Sequence, residues 1–261
     1  MMKLSAIAKA HYAKLLTIIG FLFIWQLAVM ILGIKEFILP TPITTFSYLL
    51  VPKLAAQYAW FTHIETTLTE VLIGFCATAV VGVLVAVVMT WSHFLRQIIM
   101  PIITLFNSLP KIALAPLFLL WFGYGIIPNV MIAFLISFFP IVINTSAGLN
   151  AVEEDLLDLV HYLHASKWQV FVKIRLPNSL PYIFSGLKIS ATLCVVGVIV
   201  GEFIASTQGL GFLLKSAQGL MDTPPMFASL ILISLLGLSF FGLITLLERW
   251  VMPWQKSSQQ P

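Results

Sequence analysis

The sequence predicts an all-α polytopic membrane protein with about six transmembrane helices. The chain is 60% hydrophobic and only 9% charged, with a mean hydropathy of +1.02, which lies outside the range of soluble globular domains. Several uncharged runs reach the roughly 20 residues that a helix needs to cross a bilayer core. The basic residues are also spread unevenly over the loops between these runs.

The spans are predicted in order along the chain. The third is expected to be irregular because Pro101, Pro110 and Pro116 interrupt it. The uncharged stretch 112–152 is too long for one span, and the clusters at 123–125 and 128–129 predict a turn within it. The six predicted spans are 15–34, 71–91, a segment beginning near 97, the later part of 112–152, 178–201 and 223–247.

The segment 43–60 joins the first two spans and allows two interpretations. Leu39-Pro40-Thr41-Pro42 breaks the chain before it. The segment is either an amphipathic helix along the outer interface or a plain connector.

The distribution of basic residues sets the orientation of the chain. With six spans and both termini in the cytoplasm, ten of the 14 Lys and Arg residues fall inside, three outside and one within a span, as the positive-inside rule favours. The net charge of +4 therefore requires no nucleic-acid partner. The inner set is Lys3, Lys9, Lys14, Arg96, Lys167, Lys173, Arg175, Lys188, Arg249 and Lys256; the outer set is Lys35, Lys53 and Lys215.

The segment 153–177 is a polar island between apolar spans, and it faces the cytoplasm in this orientation. It carries four carboxylates, three cations and two histidines. Residues 153–163 predict a helix with one apolar face and acidic residues in its first turn, where the helix dipole favours them.

A turn and a second helix complete the island. His164 is the predicted hinge, and Ser166 with Gln169 has the spacing of a capping box. The second helix, from Lys167 to about Leu176, is predicted to end at Pro177. Leu163, Trp168 and Phe171 are predicted to form an apolar tip on this rigid helix–turn–helix.

Short motifs in and around the island resemble binding-protein-dependent ABC transporter permeases of the nitrate/sulfonate/taurine branch, which includes permeases for thiamine-pyrimidine precursors. In the cytoplasmic loop of that family an acidic residue precedes a Gly and an Ile-x-Leu-Pro at fixed distances. Here Leu159 and Val160 replace small residues, and His164 replaces the Gly, so we expect a strained turn at positive φ. The matching motifs are Asp158, Ala165-Ser166-x-x-Gln169-x-Phe171, Ile174-x-Leu176-Pro177, Ala113-Leu114-Ala115-Pro116-Leu117, Trp121-Phe122-Gly123, Gly201-Glu202-Phe203, Gly209-Leu210-Gly211 and Leu246-Leu247-Glu248-Arg249.

The resemblance implies one transmembrane domain, 1–261, of the type I ABC importer kind in the bacterial inner membrane, with a coupling loop at about 150–178. Its partners would be a cytoplasmic ATP-binding subunit, which holds ATP and Mg, an extracytoplasmic solute-binding protein, and a second copy in a homodimer. This chain would carry no cofactor. The residues that the resemblance assigns to ATPase coupling are Asp158, Leu163, His164, Ala165, Ser166, Trp168, Gln169, Phe171, Leu176 and Pro177.

The sequence shows no catalytic motif. The nearest approach to a P-loop, at 209–216, has Leu214 where the motif requires Gly. We find no zinc-ligand spacing and no Ser-centred nucleophile elbow. An ion-gradient-driven secondary transporter is the alternative function, although it would typically show inverted repeats. A membrane-embedded enzyme or scaffold is a third class.

Five residues are candidates for the substrate path: Asn107, Pro110, Lys111, Asn144 and Glu202. Ionisable residues within a membrane are functional candidates. Lys111 either meets an anion or an electron-rich heterocycle beside the Pro110 break, or pairs at a helix end. Glu202 either lines the path or forms an interhelix or gate contact, and Asn144 either lines it or bonds between helices. Nitrate, sulfonates or taurine, bicarbonate and pyrimidine or other heterocyclic precursors all remain open as cargo.

Overall fold

The computed structural model describes the backbone of residues 2–254 and the side chains of 12–13, 15–92 and 94–254. Lys3, Lys9, Lys14 and Lys256 of the predicted inner set lie outside the described side chains. The helices are α1 Met2–Ile31, α2 Pro42–Leu50, α3 Pro52–Tyr58, α4 Trp60–Trp91, α5 His93–Ser108, α6 Ala115–Phe122, α7 Ile126–Asn150, α8 Glu154–Tyr162, α9 Lys167–Val170, α10 Leu176–Ala205, α11 Leu210–Gly219 and α12 Thr223–Val251. A 3₁₀ turn spans Lys111–Leu114, and a π-helical turn spans Phe171–Arg175.

Four helices within 2–254 are long and apolar enough to cross a membrane: α4, α7, α12 and the 39-residue helix Lys167–Ala205 that joins α9 to α10. A fifth candidate is bent by 81° between Phe94–Ser108 and Lys111–Phe122. This is the irregular span that the prolines predict, since Pro101 lies inside α5, Pro110 at the break and Pro116 in the first turn of α6. The count of six is reached if the shorter apolar helix Leu15–Ile31 also crosses.

Contacts between the spans fix their relative directions. The Glu70 carboxylate of α4 accepts from Asn129 of α7, and a Cβ on Gly82 of α4 would lie 2.8 Å from Ile141 of α7. The two pairs have the same sequence separation, so α4 and α7 are parallel. The chain between Trp91 and Ile126 must therefore return across the membrane, and the bent pair is the segment that does so.

The remaining helices alternate in direction. A Cβ on Gly148 of α7 would meet Tyr182 of α10, whereas Gly201 at the other end of α10 lies against Asn129, so α7 and α10 are antiparallel. Lys188 of α10 forms an ion pair of 2.9 Å with Glu248 of α12. Loop 151–166 therefore lies at the same end as Trp91 and the end of α12, opposite loop 206–222.

The core lies where α10 packs against α7. A Cβ on Gly197 would come within 2.5 Å of the Ala133 Cα atom, so the two backbones approach as closely as small residues permit. The Ser190 hydroxyl donates to the Ser137 carbonyl at 2.6 Å, and Thr78 of α4 lies 3.1 Å from the Ser137 hydroxyl. Small residues and buried hydroxyls thus join three spans into one unit.

The segment 43–60 is helical, as one of the two interpretations predicted, but it forms two helices. Pro52 starts α3 and keeps the preceding Val51 extended. The Trp60 indole donates to the Tyr48 carbonyl at 3.0 Å, and the Tyr58 hydroxyl donates to Asp222 at 2.6 Å. Burial and the hydrogen bond to Asp222 raise the pKa of Tyr58, so the phenol keeps the proton that it donates. These contacts hold α2 and α3 beside the start of α12.

Candidate functional site

The turn of the polar loop is built around His164. His164 has φ 57°, as predicted from its position where the family pattern has Gly. The His164 N–H donates to the His161 carbonyl at 2.9 Å and the Ala165 N–H to the Val160 carbonyl at 3.0 Å. These are the two bonds of a Schellman motif, which satisfies carbonyls at the end of α8. The turn is fully hydrogen-bonded although a non-glycine residue in this conformation costs about 1 kcal/mol.

The predicted capping box is confirmed. The Gln169 N–H donates to the Ser166 hydroxyl at 3.2 Å, and the Ser166 N–H donates to the Gln169 side-chain oxygen at 2.8 Å. Hydrogen bonds therefore hold the turn on both sides, at the end of α8 and at the start of α9.

The predicted stop at Pro177 is wrong. The helix that starts at Lys167 continues through Pro177 to Ala205. In a regular α-helix the proline ring would clash with the carbonyl four residues earlier. The wider π turn over Phe171–Arg175 accommodates it. The second half of the loop is thus the cytoplasm-facing extension of a span in the predicted orientation, not a separate helix.

The predicted apolar tip of Leu163, Trp168 and Phe171 is wrong for Phe171. Trp91 at the end of α4 lies 6.0 Å from Trp168 and 5.4 Å from Phe171 between ring centroids. Phe171 therefore packs back towards the spans and is half-buried, whereas Leu163 and Trp168 are 67% and 63% exposed. Of the other predicted coupling residues, Ala165 and Leu176 are half-buried, and Asp158, His164, Ser166, Gln169 and Pro177 are exposed.

A buried hydrogen-bond network occupies the opposite end of the molecule. Glu202 of α10 is fully buried. Its carboxylate accepts from the Thr67 hydroxyl at 2.6 Å and from the Gly211 N–H at 2.7 Å. Thr67 in turn accepts from the Leu210 N–H at 2.9 Å. Gly209 begins α11 at φ 107°, and a Cβ there would lie 2.2 Å from the Glu202 carboxyl carbon, so only glycine fits.

A second buried carboxylate, that of Glu70, lies about one turn after Thr67 on α4. Glu70 is 2% exposed, and both its oxygens accept from the Asn129 amide of α7 at 2.9 and 3.0 Å. An open cleft of about 460 Å³ adjoins it, and its lining includes Glu65, Glu70 and the threonines 62, 66 and 69. The cleft thus presents carboxylates and hydroxyls at the end opposite the polar loop.

The five predicted path residues do not form one site. Lys111 donates to Asn107 at 2.5 Å across the Pro110 break. Asn144 donates to the Pro140 carbonyl of its own helix at 2.8 Å. No hydrogen bond or ion pair in the described part of the chain joins Lys111, Asn144 and Glu202. For Lys111, the contact fits the interpretation that it pairs at a helix end. For Glu202, the contact fits the interpretation that it joins two helices.

Sequence reasoning missed Thr67, Asn129 and His63, whose Nδ1 accepts from the Gly209 N–H at 2.9 Å. A usable signal was present, since Glu202 is followed closely by the Gly-Leu-Gly at 209–211. A buried acid near a glycine-rich turn is typical of a carboxylate that accepts backbone N–H bonds.

Comparison with known proteins agrees with the fold and the motifs. Residues 78–253 match the family described as binding-protein-dependent transport system inner membrane component. The chain belongs to this family. It is 34% identical over 233 residues to the formylaminopyrimidine transport permease protein of Halalkalibacterium halodurans, covering 89% of this chain and 92% of that protein. It is 33% identical to the riboflavin transport system permease protein of Chloroflexus aurantiacus, covering 92% and 89%.

A third relative extends the range of named cargoes. The taurine transport system permease protein of Escherichia coli is 28% identical over 246 residues, covering 93% of this chain and 90% of that protein. The chain is thus a multi-pass membrane permease subunit of an ABC transporter and not an enzyme. Membership implies an ATP-binding subunit and a binding protein as partners.

Proposed function

We propose that this permease moves a small solute into the cytoplasm by ATP-driven alternating access, coupled through loop 153–177. ATP and Mg would bind the partner subunit, and the loop and both termini would face the cytoplasm of a bacterial cell. The observation that carries the proposal is the continuity of helix Lys167–Ala205. A force applied at the capped turn around Ser166 acts on the whole span because no joint separates them.

The packing of the span supports the same mechanism. Gly197 of α10 lies against Ala133 of α7 without room for a side chain, so the two helices move together. At its far end α10 carries Glu202, which holds Gly211 and Thr67. One rigid element therefore connects the polar turn with the opposite end of the molecule. Two copies in a homodimer would place two such elements around a shared path.

The charge distribution supports the cytoplasmic side for the loop. Six described cations lie at or near the loop's end and three lie at or near the other end, the bias expected of an inner face. The six are Arg96, Lys167, Lys173, Arg175, Lys188 and Arg249, and the three are Lys35, Lys53 and Lys215.

Replacing Leu163 with glutamate is expected to remove the ATP-binding subunit from the purified complex. Leu163 is exposed at the turn, so the change leaves the permease core intact and places a charge where an apolar contact is proposed. The measurement is the amount of ATPase that co-purifies with the tagged permease in mild detergent. We expect a decrease of tenfold or more, about 1.4 kcal/mol in binding free energy.

Leu220→Glu is the matched control because Leu220 is equally exposed but lies in the loop at the opposite end. It should retain the ATPase. Equal recovery of ATPase with L163E and wild type would refute coupling through the turn. Recovery of the wild-type permease without any ATPase would favour an ion-driven carrier.

Among the cargoes that the sequence leaves open, a nitrogen heterocycle with N–H donors fits the structure best. The cleft beside Asn129 presents the exposed Glu65 carboxylate and threonine hydroxyls. These groups accept hydrogen bonds, and the charge of Glu65 repels anions. Lys111 is held by Asn107. The relatives at 34% and 33% identity are named for formylaminopyrimidine and riboflavin, and that for taurine is at 28%.

Cells that express the complete transporter are expected to take up a labelled aminopyrimidine and not labelled taurine. Glu65→Gln, which removes an exposed cleft charge, should lower aminopyrimidine uptake while the ATPase still co-purifies. Preferential uptake of taurine would reject the heterocycle assignment and leave ATP coupling standing.

A further inference from the structure

A cavity of about 230 Å³ lies under the polar loop, apart from the buried network and the open cleft. The end of α4 contributes Thr90 and Trp91, α8 contributes Leu157 and His161, and the Lys167–Arg175 segment closes the third side. Its volume exceeds the ~30 Å³ of a water molecule several-fold. Three separate chain segments thus surround a half-open space that is large enough for a small polar group.

The polar lining of the cavity is basic. Lys167, Arg175 and His161 line it together with apolar and hydroxyl groups, and no carboxylate does. The acidic residues nearest in sequence, Asp155 and Asp158, are exposed on α8 and are not part of the lining. Two cations therefore line one half-open space whose lining contains no carboxylate.

The cations keep most of their donors free. The Arg175 guanidinium donates once, to the Leu149 carbonyl at 3.3 Å, which fixes it at the end of α7 and leaves four of its five N–H groups. The Lys167 ammonium forms no hydrogen bond or ion pair with the described residues. Clustered cations with unused donors are the arrangement that binds phosphate oxygens.

The position of the cavity indicates where the phosphate comes from. Trp91 is the last residue of the α4 span, and Arg175 directly precedes α10. Trp91 and Trp168 are 48% and 63% exposed beside the cavity, and Trp at the end of a span is typical of the headgroup level of a bilayer. Basic pockets between spans at this level are suited to anionic lipid headgroups.

We propose that this cavity binds the phosphate of an anionic phospholipid, held by Lys167 and Arg175. The bound headgroup connects α8 with the ends of α4 and α7, because His161 and Trp91 line the same space. The lipid therefore stabilises the position of the polar turn relative to the spans. This inference does not depend on the cargo or on ATP coupling.

The test uses the purified full chain in detergent and quantifies lipid by native mass spectrometry. Phosphatidylglycerol is compared with phosphatidylcholine of the same acyl chains, and inorganic phosphate is added as a competitor. The variants are Lys167→Gln and Lys167→Gln/Arg175→Gln. Lys173→Gln is the matched control, since Lys173 is exposed in the same π turn but does not line the cavity.

We expect retained phosphatidylglycerol to decrease about fivefold for each cation removed and to be unchanged in K173Q. Because the Lys167 ammonium has no hydrogen bond or ion pair with a described residue, K167Q remains informative if the double variant does not fold. Equal retention of both lipids, or equal losses in K167Q and K173Q, would overturn the proposal. Displacement of the lipid by millimolar phosphate would retain the anion site but reject the lipid as its occupant.

Discussion

Glu202→Ala is expected to lower the thermal unfolding temperature of the permease by a large margin. The truncation removes the acceptor of the Thr67 hydroxyl and the Gly211 N–H. The Thr67 hydroxyl can still donate to the His63 carbonyl at 3.0 Å, so the Gly211 N–H is the buried donor that loses its partner. That loss costs about 1–3 kcal/mol, before the cost of the cavity that is left. The measurement is the unfolding midpoint of the purified protein in detergent.

Two variants separate the hydrogen bonds from the charge. Glu202→Gln keeps one carboxamide oxygen and should lie between wild type and Glu202→Ala. Glu65→Ala removes an exposed carboxylate from the same end of the molecule and should leave the midpoint near that of wild type. If Glu202→Ala and Glu65→Ala unfold at the same temperature, the network around Glu202 does not stabilise the fold.

Gly197→Val is expected to prevent recovery of folded permease. A Cβ at this position lies 2.5 Å from the Ala133 Cα and 3.1 Å from its nitrogen, and backbone atoms cannot move aside as a flexible side chain can. The α7 and α10 helices would have to separate along their main contact. The cost in folding free energy would exceed the about 1–3 kcal/mol that is typical of an overpacked core. The measurement is the fraction of protein that elutes as a monodisperse peak after solubilisation.

The matched control for this change is Gly237→Val on α12. Both glycines are inside long apolar helices, so the change in helix propensity is the same. The nearest atom to a Cβ on Gly237 is 3.9 Å away, on Val195. Recovery of G197V at the level of G237V would show that the α7–α10 contact tolerates a side chain.

Features that depend on neighbouring residues could be predicted from the sequence. The capping box at Ser166 and the positive φ of His164 follow from residue types within a few positions, and both are confirmed. The bend of the third span follows from Pro110 in the same way. Local chemistry decides these conformations because the hydrogen bonds involved close within one turn.

Features that depend on distant residues could not be predicted. The stop expected at Pro177 is a local exception, since it failed because the adjacent π turn accommodates the proline. The placement of Phe171 failed because its partner, Trp91, lies on another span. Glu202 was found as a candidate, but its partner Thr67 on α4 becomes visible only when the helices are assembled. The ATPase-coupling roles of the loop residues remain predictions.

Because Lys167–Ala205 is one continuous helix, a small change in its tilt moves both of its ends by several ångströms. A helix of 39 residues is about 58 Å long, so a tilt of about 5° around its midpoint displaces each end by about 2.5 Å. The hydrogen bond between Glu202 and Gly211 is 2.7 Å long, and a displacement of that size relative to α11 would break it. In the proposed alternating access, the switch would then require no helix to melt, and the two states would differ by a few degrees of rigid rotation.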